Sequence, residues 1–365
     1  MLSESLENSK FFAPEQVAQG RILRLALGVS LSLVFSQVVN WDISFIAPIV
    51  TMVLLATPMP APGFKQGIGL LILLLLPIFA GIALIPFLYY ARWAGIALVA
   101  IVLFYSFYFT AKGGSPIVGT FFTIGVSLIV TVGSVSLDLL LVLVKGLSLG
   151  VIFGLVFVWI AHALLPDLSF DSSLLPAKSN SVTSKSSGVI VREALRSLVV
   201  TFPIALMLLF SSNSPAYFVV MMKTAAMGQQ ISSSDSRSMG QSLLASTLLG
   251  GIGAILAWQW LSIWPNIVPY ALIIALAALI FGQYIFNGVS MHRNAGMWSY
   301  GLLTMLVILL PAVTDSQIGS TAGESFYSRI FLIVLVAIYG TLSVKLFDGL
   351  WPSQEPTSPQ LEHSS

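Results

Sequence analysis

The chain has 365 residues, of which 57% are hydrophobic and 8% charged, with a mean hydropathy of +0.95. Soluble globular proteins carry about 25% charged residues, so there is too little charge to coat a water-exposed surface. A soluble enzyme, a nucleic-acid binder and a disordered chain are excluded, and the class that remains is a polytopic helical membrane protein. Continuous apolar runs, where a barrel strand would alternate, argue against an outer-membrane barrel. Cysteine is absent, which removes disulfides, thiolate metal sites and thiol nucleophiles.

Residues 1–20 read as a cytoplasmic N-terminal segment. Glu4, Glu7 and Glu15 precede the first apolar run, which is full length and lacks a small-residue cleavage site. The first span is therefore expected to be retained as an anchor. A first six-span unit, 21–166, holds spans at 22–39, 43–57, 67–88, 92–110, 116–134 and 138–163. Residues 167–191, rich in serine, read as a flexible cytoplasmic linker. A second unit, 192–351, holds spans at 194–211, 215–228, 239–262, 266–286, 297–313 and 327–350, and 352–365 reads as a disordered cytoplasmic tail. About 20 helical residues cross the roughly 30 Å hydrocarbon core. The second and eighth spans fall short of that and are expected to be tilted, broken, re-entrant or continued by a buried irregular turn.

Charge placement orients the spans. With the N-terminus inside, the cytoplasmic side holds Lys10, Arg21, Arg24, Lys65, Lys112, Lys178, Lys185, Arg192, Arg196, Arg237, Arg293 and Lys345, against Arg92 and Arg329 outside. This is a strong positive-inside bias, with both ends in the cytoplasm. Landmarks also recur about 172 to 174 residues apart: Arg24 with Arg196, Gly67 with Gly240, Gly81 with Gly253. Leu165-Pro166 closes the first half and Trp351-Pro352 the second. Because six is even, both halves enter the membrane in the same sense, giving a parallel repeat. The expected fold is all-α, with about twelve transmembrane helices in two parallel six-helix repeats.

Lys223, inside short span eight, is the most informative residue for function. A mid-membrane lysine costs roughly 2.5–3.5 kcal/mol on insertion scales. Either it attracts an anion in a polar cavity, or it snorkels or pairs with a carboxylate. Lys145, seven residues after Asp138 in span six, lines an outer vestibule or snorkels outward. The first-half counterpart of Lys223 falls near Thr51, in a segment that begins at Trp41 and contains Pro48 and Pro58. Interrupted short segments at matching places point to a transport site; a simple kink is the plainer alternative. Trp41 suits an interfacial belt as well as a substrate platform. Asn213 and Pro215 introduce span eight. Gly146, Gly150 and Gly154 form a repeated GxxxG pattern, for an internal helix contact or a dimer. Three scattered histidines give no metal-ligand spacing. No catalytic motif and no nucleotide-binding motif is found, so neither an enzyme nor a cofactor is expected.

Arg24 opening a span, then Trp41, a short segment ending Ala56-Thr57-Pro58, Gly63, Lys65 and the glycines of span three resemble the fusaric-acid-resistance-like superfamily. That superfamily includes the aromatic acid exporters. The resemblance covers 20–165 well and 190–350 weakly. It implies a bacterial inner-membrane exporter of small organic, often aromatic, acids, working with a periplasmic adaptor of the membrane-fusion type. The larger exporters' soluble domain is missing here. The expected function is proton-driven export of a small organic acid or an amphipathic toxic compound, with Lys223, Lys145, Asp138, Trp41, Thr51 and Asn213 along the pathway. The expected partners are the anionic substrate, the lipid bilayer, the adaptor and further copies of the chain, and not nucleic acid. The competing readings are an organic-anion channel and a non-transporting membrane scaffold.

Overall fold

The computed structural model describes residues 12–170, 186–210, 218–233, 239–317 and 322–352. Twelve helices lie within them: α1 Pro14–Val39, α2 Ile46–Leu55, α3 Phe64–Tyr90, α4 Arg92–Ala111, α5 Pro116–Gly133, α6 Leu137–Leu164, α7 Ser187–Leu209, α8 Phe218–Ser233, α9 Met239–Ile263, α10 Ile267–Ile285, α11 Ala295–Gln317 and α12 Ala322–Leu350. Strands β1 Phe286–Asn287 and β2 Ser290–Met291 form a small hairpin between α10 and α11. Among the described residues nine helices are long and apolar enough to cross a membrane. The protein is thus an all-α, multi-pass membrane protein. α7 has the length to cross, but its first turns carry Arg192, Glu193 and Arg196, all buried.

The repeat is visible in the packing. In the first half α1 packs on α2 and α6, α2 on α6, α3 on α4, α5 and α6, α4 on α5, and α5 on α6. Each of these pairs recurs in the second half with six added to every helix number. The contacts between halves also exchange: α1 against α10 matches α7 against α4, and α2 against α11 matches α8 against α5. The match of Gly81 with Gly253 holds in three dimensions. Gly81 faces Ile129 on α5, and Gly253 faces Met305 on α11.

The short helices occupy the middle. α2 has ten residues and α8 has 16, so they rise about 15 and 24 Å. Every residue from 219 to 231 is buried, and in α2 only Val53 is partly exposed. A helix wrapped by protein needs neither full membrane length nor an apolar surface, since its polar groups can be satisfied by neighbours. This explains why α8 runs past Gly228, where the apolar run stops, to include Gln229 and Gln230. Pro48 does not break α2. It lies in the first turn, where its missing N–H would have had no helical partner.

The GxxxG glycines of α6 make an internal contact. A methyl group at Gly146 would meet the Asp42 carbonyl and Ile43, at Gly150 Ile46, and at Gly154 Val50. The constant offset sets α2 parallel to α6 at close approach. Ile43, at φ 60°, takes a left-handed conformation that is strained for a β-branched residue, as α2's leading turn bends onto this stripe.

Candidate functional site

The odd-numbered helices start, and the even-numbered ones end, at one end of the bundle. Arg21, Arg24, Lys65, Lys112, Arg192, Arg196, Arg293 and Lys345 gather there. At this basic end each half carries an arginine that caps a helix C-terminus. Arg24 Nε donates to the Leu165 carbonyl after α6 at 2.9 Å, and its Nη1 donates to Asp167 at 2.6 Å. Arg192 Nε donates to the Trp351 carbonyl after α12 at 2.8 Å, and its Nη2 donates to Asp348 at 2.6 Å. A cation on the exposed carbonyls of a helix end is favourable. Arg192 therefore does the work of Arg24, while Arg196 lies one turn further in and reaches Asp348 and the Ile231 carbonyl of α8.

The first half's cap borders a cavity of about 220 Å³. Arg21, Arg24 and Asp167 line it, together with Pro58, Met59 and Phe170. Arg21 lies over the Phe170 ring at 5.9 Å and donates to the Val289 carbonyl of the hairpin. Asp167 Oδ2 accepts from the Ala61 N–H. Among the described residues, two guanidinium groups face one carboxylate in this apolar-walled mouth, a net positive lining.

Lys223 lies midway along the bundle on α8 and is 4% exposed. Its Nζ donates to Thr304 Oγ1 on α11 at 2.8 Å, and Thr304 Oγ1 in turn donates a hydrogen bond to the Tyr300 carbonyl. No described carboxylate pairs with it. Gly250 on α9 lies directly against Thr304, so that α9 and α11 approach closely behind the lysine's partner. The repeat register puts Thr224 at the place of Thr51: each donates to the carbonyl four residues earlier, Val220 and Ala47. Lys223 then corresponds to Val50, so the first half has no matching cation.

A polar cluster lies nearer the basic end. Gln229 Nε2 donates to Thr123 Oγ1 at 2.7 Å and Ser106 Oγ at 3.1 Å, while its Oε1 accepts from Thr110 at 2.8 Å. Ser106 and Thr123 are also bonded, at 2.8 Å. The cluster ties α8 to α4 and α5 across the two halves. Sequence reading missed it because Gln229 followed the apolar run and looked like loop.

The other sequence candidates are dispersed. Thr51 is buried and also bonds the Gly154 carbonyl, knitting α2 to α6. The Trp41 ring packs against Phe35 and Phe153, with centroids 6.2 and 5.3 Å away. Asp138 and Lys145 are both exposed, toward the far end of α6. Pro58 lines the arginine cavity. Asn213 and Pro215 lie outside the described residues.

Residues 21–161 match a family described as a protein of unknown function (DUF2955). The match runs from within α1 to nearly the end of α6, which is most of the first repeat. No curated protein and no solved structure matches the chain.

Proposed function

We propose that the protein moves small organic anions across a membrane, as the aromatic acid exporters of the fusaric-acid-resistance-like superfamily do. The observation that carries this is Lys223: a lysine at the centre of a twelve-helix bundle, bonded to a threonine and to no described carboxylate. A buried cation without a counter-ion is unfavourable in a resting protein and is suited to a transient anionic partner. The net-positive lining at Arg21 and Arg24 is the first contact for the same class of molecule in this reading. The burial of the whole stretch 219–231 favours a carrier with an occluded site over an open channel.

In this account the basic end faces the cytoplasm of a bacterial cell, by the positive-inside bias, and export is driven by protons with the help of a periplasmic adaptor. The test is flux into proteoliposomes of the purified protein, with a panel of aromatic carboxylates and with or without a pH gradient. Accumulation that depends on the gradient is expected. Flux that follows voltage alone would make the protein a channel. No flux in the presence of the adaptor would leave the scaffold reading.

A further inference from the structure

At the end of the bundle opposite the basic one, the ends of α3, α5 and α7 and the start of α4 border a cavity of about 270 Å³. Among the described residues it is lined by Leu88, Tyr89, Arg92, Ser134 and Leu209. It lies between the halves, since α3, α4 and α5 belong to the first repeat and α7 to the second. Leu209 also walls a crevice of about 10 Å³ that runs inward between α4, α5 and α7 as far as Met221 on α8.

Arg92 sets the chemistry of this cavity. It is exposed, and its guanidinium lies over the Phe210 ring at the end of α7, 4.4 Å from the centroid. This cation–π contact steadies the group across the two halves but gives its N–H groups no acceptor. Among the described residues Arg92 makes no hydrogen bond and no ion pair, and no carboxylate lines the cavity. Arg329, also at this end, is paired with Asp315. Nor does Arg92 serve its own helix. It opens α4, where a cation opposes the helix dipole, whereas Arg24 and Arg192 sit at helix C-termini. A planar fork of free donors beside Leu88 and Leu209 matches the paired oxygens of a carboxylate or phosphate carried on an apolar body.

We propose that the Arg92 cavity is a binding site for a singly charged amphipathic anion. Its carboxylate or phosphate group sits on Arg92, and its apolar body lies against Leu88, Tyr89 and Leu209. A free aromatic carboxylate and the phosphate of an anionic lipid share this chemistry. On the transport reading the cavity is the release site, at the outer end of the voids that lead from α8. The binding itself depends neither on that reading nor on Lys223.

The chain has no cysteine, so Ser134→Cys places a single thiol on the cavity wall, and Leu209→Cys gives a second position. The thiol's reaction rate with an anionic methanethiosulfonate, divided by its rate with a cationic one, reads the local charge. This ratio should fall about tenfold on adding Arg92→Gln, the weight of one unit charge at close range in a partly solvated site, and recover with Arg92→Lys. In detergent, benzoate should slow the labelling saturably and benzamide should not. Lys223→Met should keep this protection, so failure here is distinguishable from failure of the transport account. Protection by phosphatidylglycerol nanodiscs but not by phosphatidylcholine nanodiscs, with none by benzoate, would uphold the site and assign it to a lipid phosphate. A ratio unchanged by Arg92→Gln, equal protection by benzamide and benzoate, or protection by neither benzoate nor phosphatidylglycerol would overturn the proposal.

Discussion

Replacing Lys223 by methionine should raise stability and remove anion transport together. The mid-bundle ammonium costs roughly 2.5–3.5 kcal/mol on insertion scales. Its hydrogen bond to Thr304 returns about 1.5–3 kcal/mol, the range for a bond to a charged group. The lysine is therefore neutral to unfavourable for the fold, by roughly 0–2 kcal/mol. Methionine has a similar length and adapts to the apolar surroundings, while Thr304 keeps its bond to the Tyr300 carbonyl. Lys223→Met should consequently melt at or above the parent temperature. Thr304→Val should do the opposite, because it strands the ammonium, at a cost of about 1.5–3 kcal/mol. The double variant should recover, and a double-mutant cycle on the detergent-solubilised protein would read the coupling. If Lys223→Met is destabilised by more than about 1 kcal/mol while flux is unchanged, the lysine is structural and the reasoning fails.

The remaining predictions concern packing and capping. Gly150→Ala places a methyl group 2.6 Å from Ile46 Cγ2 and should cost about 1–3 kcal/mol. Gly251→Ala on α9 meets open space and should gain about 0.5–1 kcal/mol; thermal melts would separate the two. Gln229→Leu removes three hydrogen bonds but leaves Ser106 and Thr123 bonded to each other, so the expected loss is about 1–3 kcal/mol rather than the sum of three bonds. Arg192→Gln and Arg24→Gln should each lower the melting temperature, through about 1–3 kcal/mol of lost capping and pairing. Neither strands its carboxylate: Asp348 keeps Arg196 at 3.3 Å, and Asp167, 41% exposed, keeps the Ala61 N–H and can be rehydrated.

Much of the fold was legible because the bilayer imposes simple rules. Length and hydropathy marked the outer helices, and the arginine and lysine bias paired their ends. The repeat showed in Gly81 and Gly253, whose packing partners on α5 and α11 agree. The inner helices were harder to read. Gln229 and Gln230 looked like the start of a loop because α8 never meets lipid, so hydropathy does not define its end. Pro48 looked like a break, yet a first-turn proline costs no helical bond. The spacing of Arg24 and Arg196 suggested a pair, but Arg192, one turn earlier, takes the capping role. Lys223 could be singled out from its apolar surroundings. Its partner Thr304 is 81 residues away, and no local pattern could supply it.

The most direct test of the account is the initial rate of benzoate uptake into proteoliposomes under a fixed pH gradient, comparing the parent with Lys223→Met and Lys223→Arg. The account predicts uptake by the parent, near-background uptake by the methionine variant despite its intact fold, and partial uptake by the arginine variant, which keeps the charge. Equal rates in the parent and the methionine variant would contradict it.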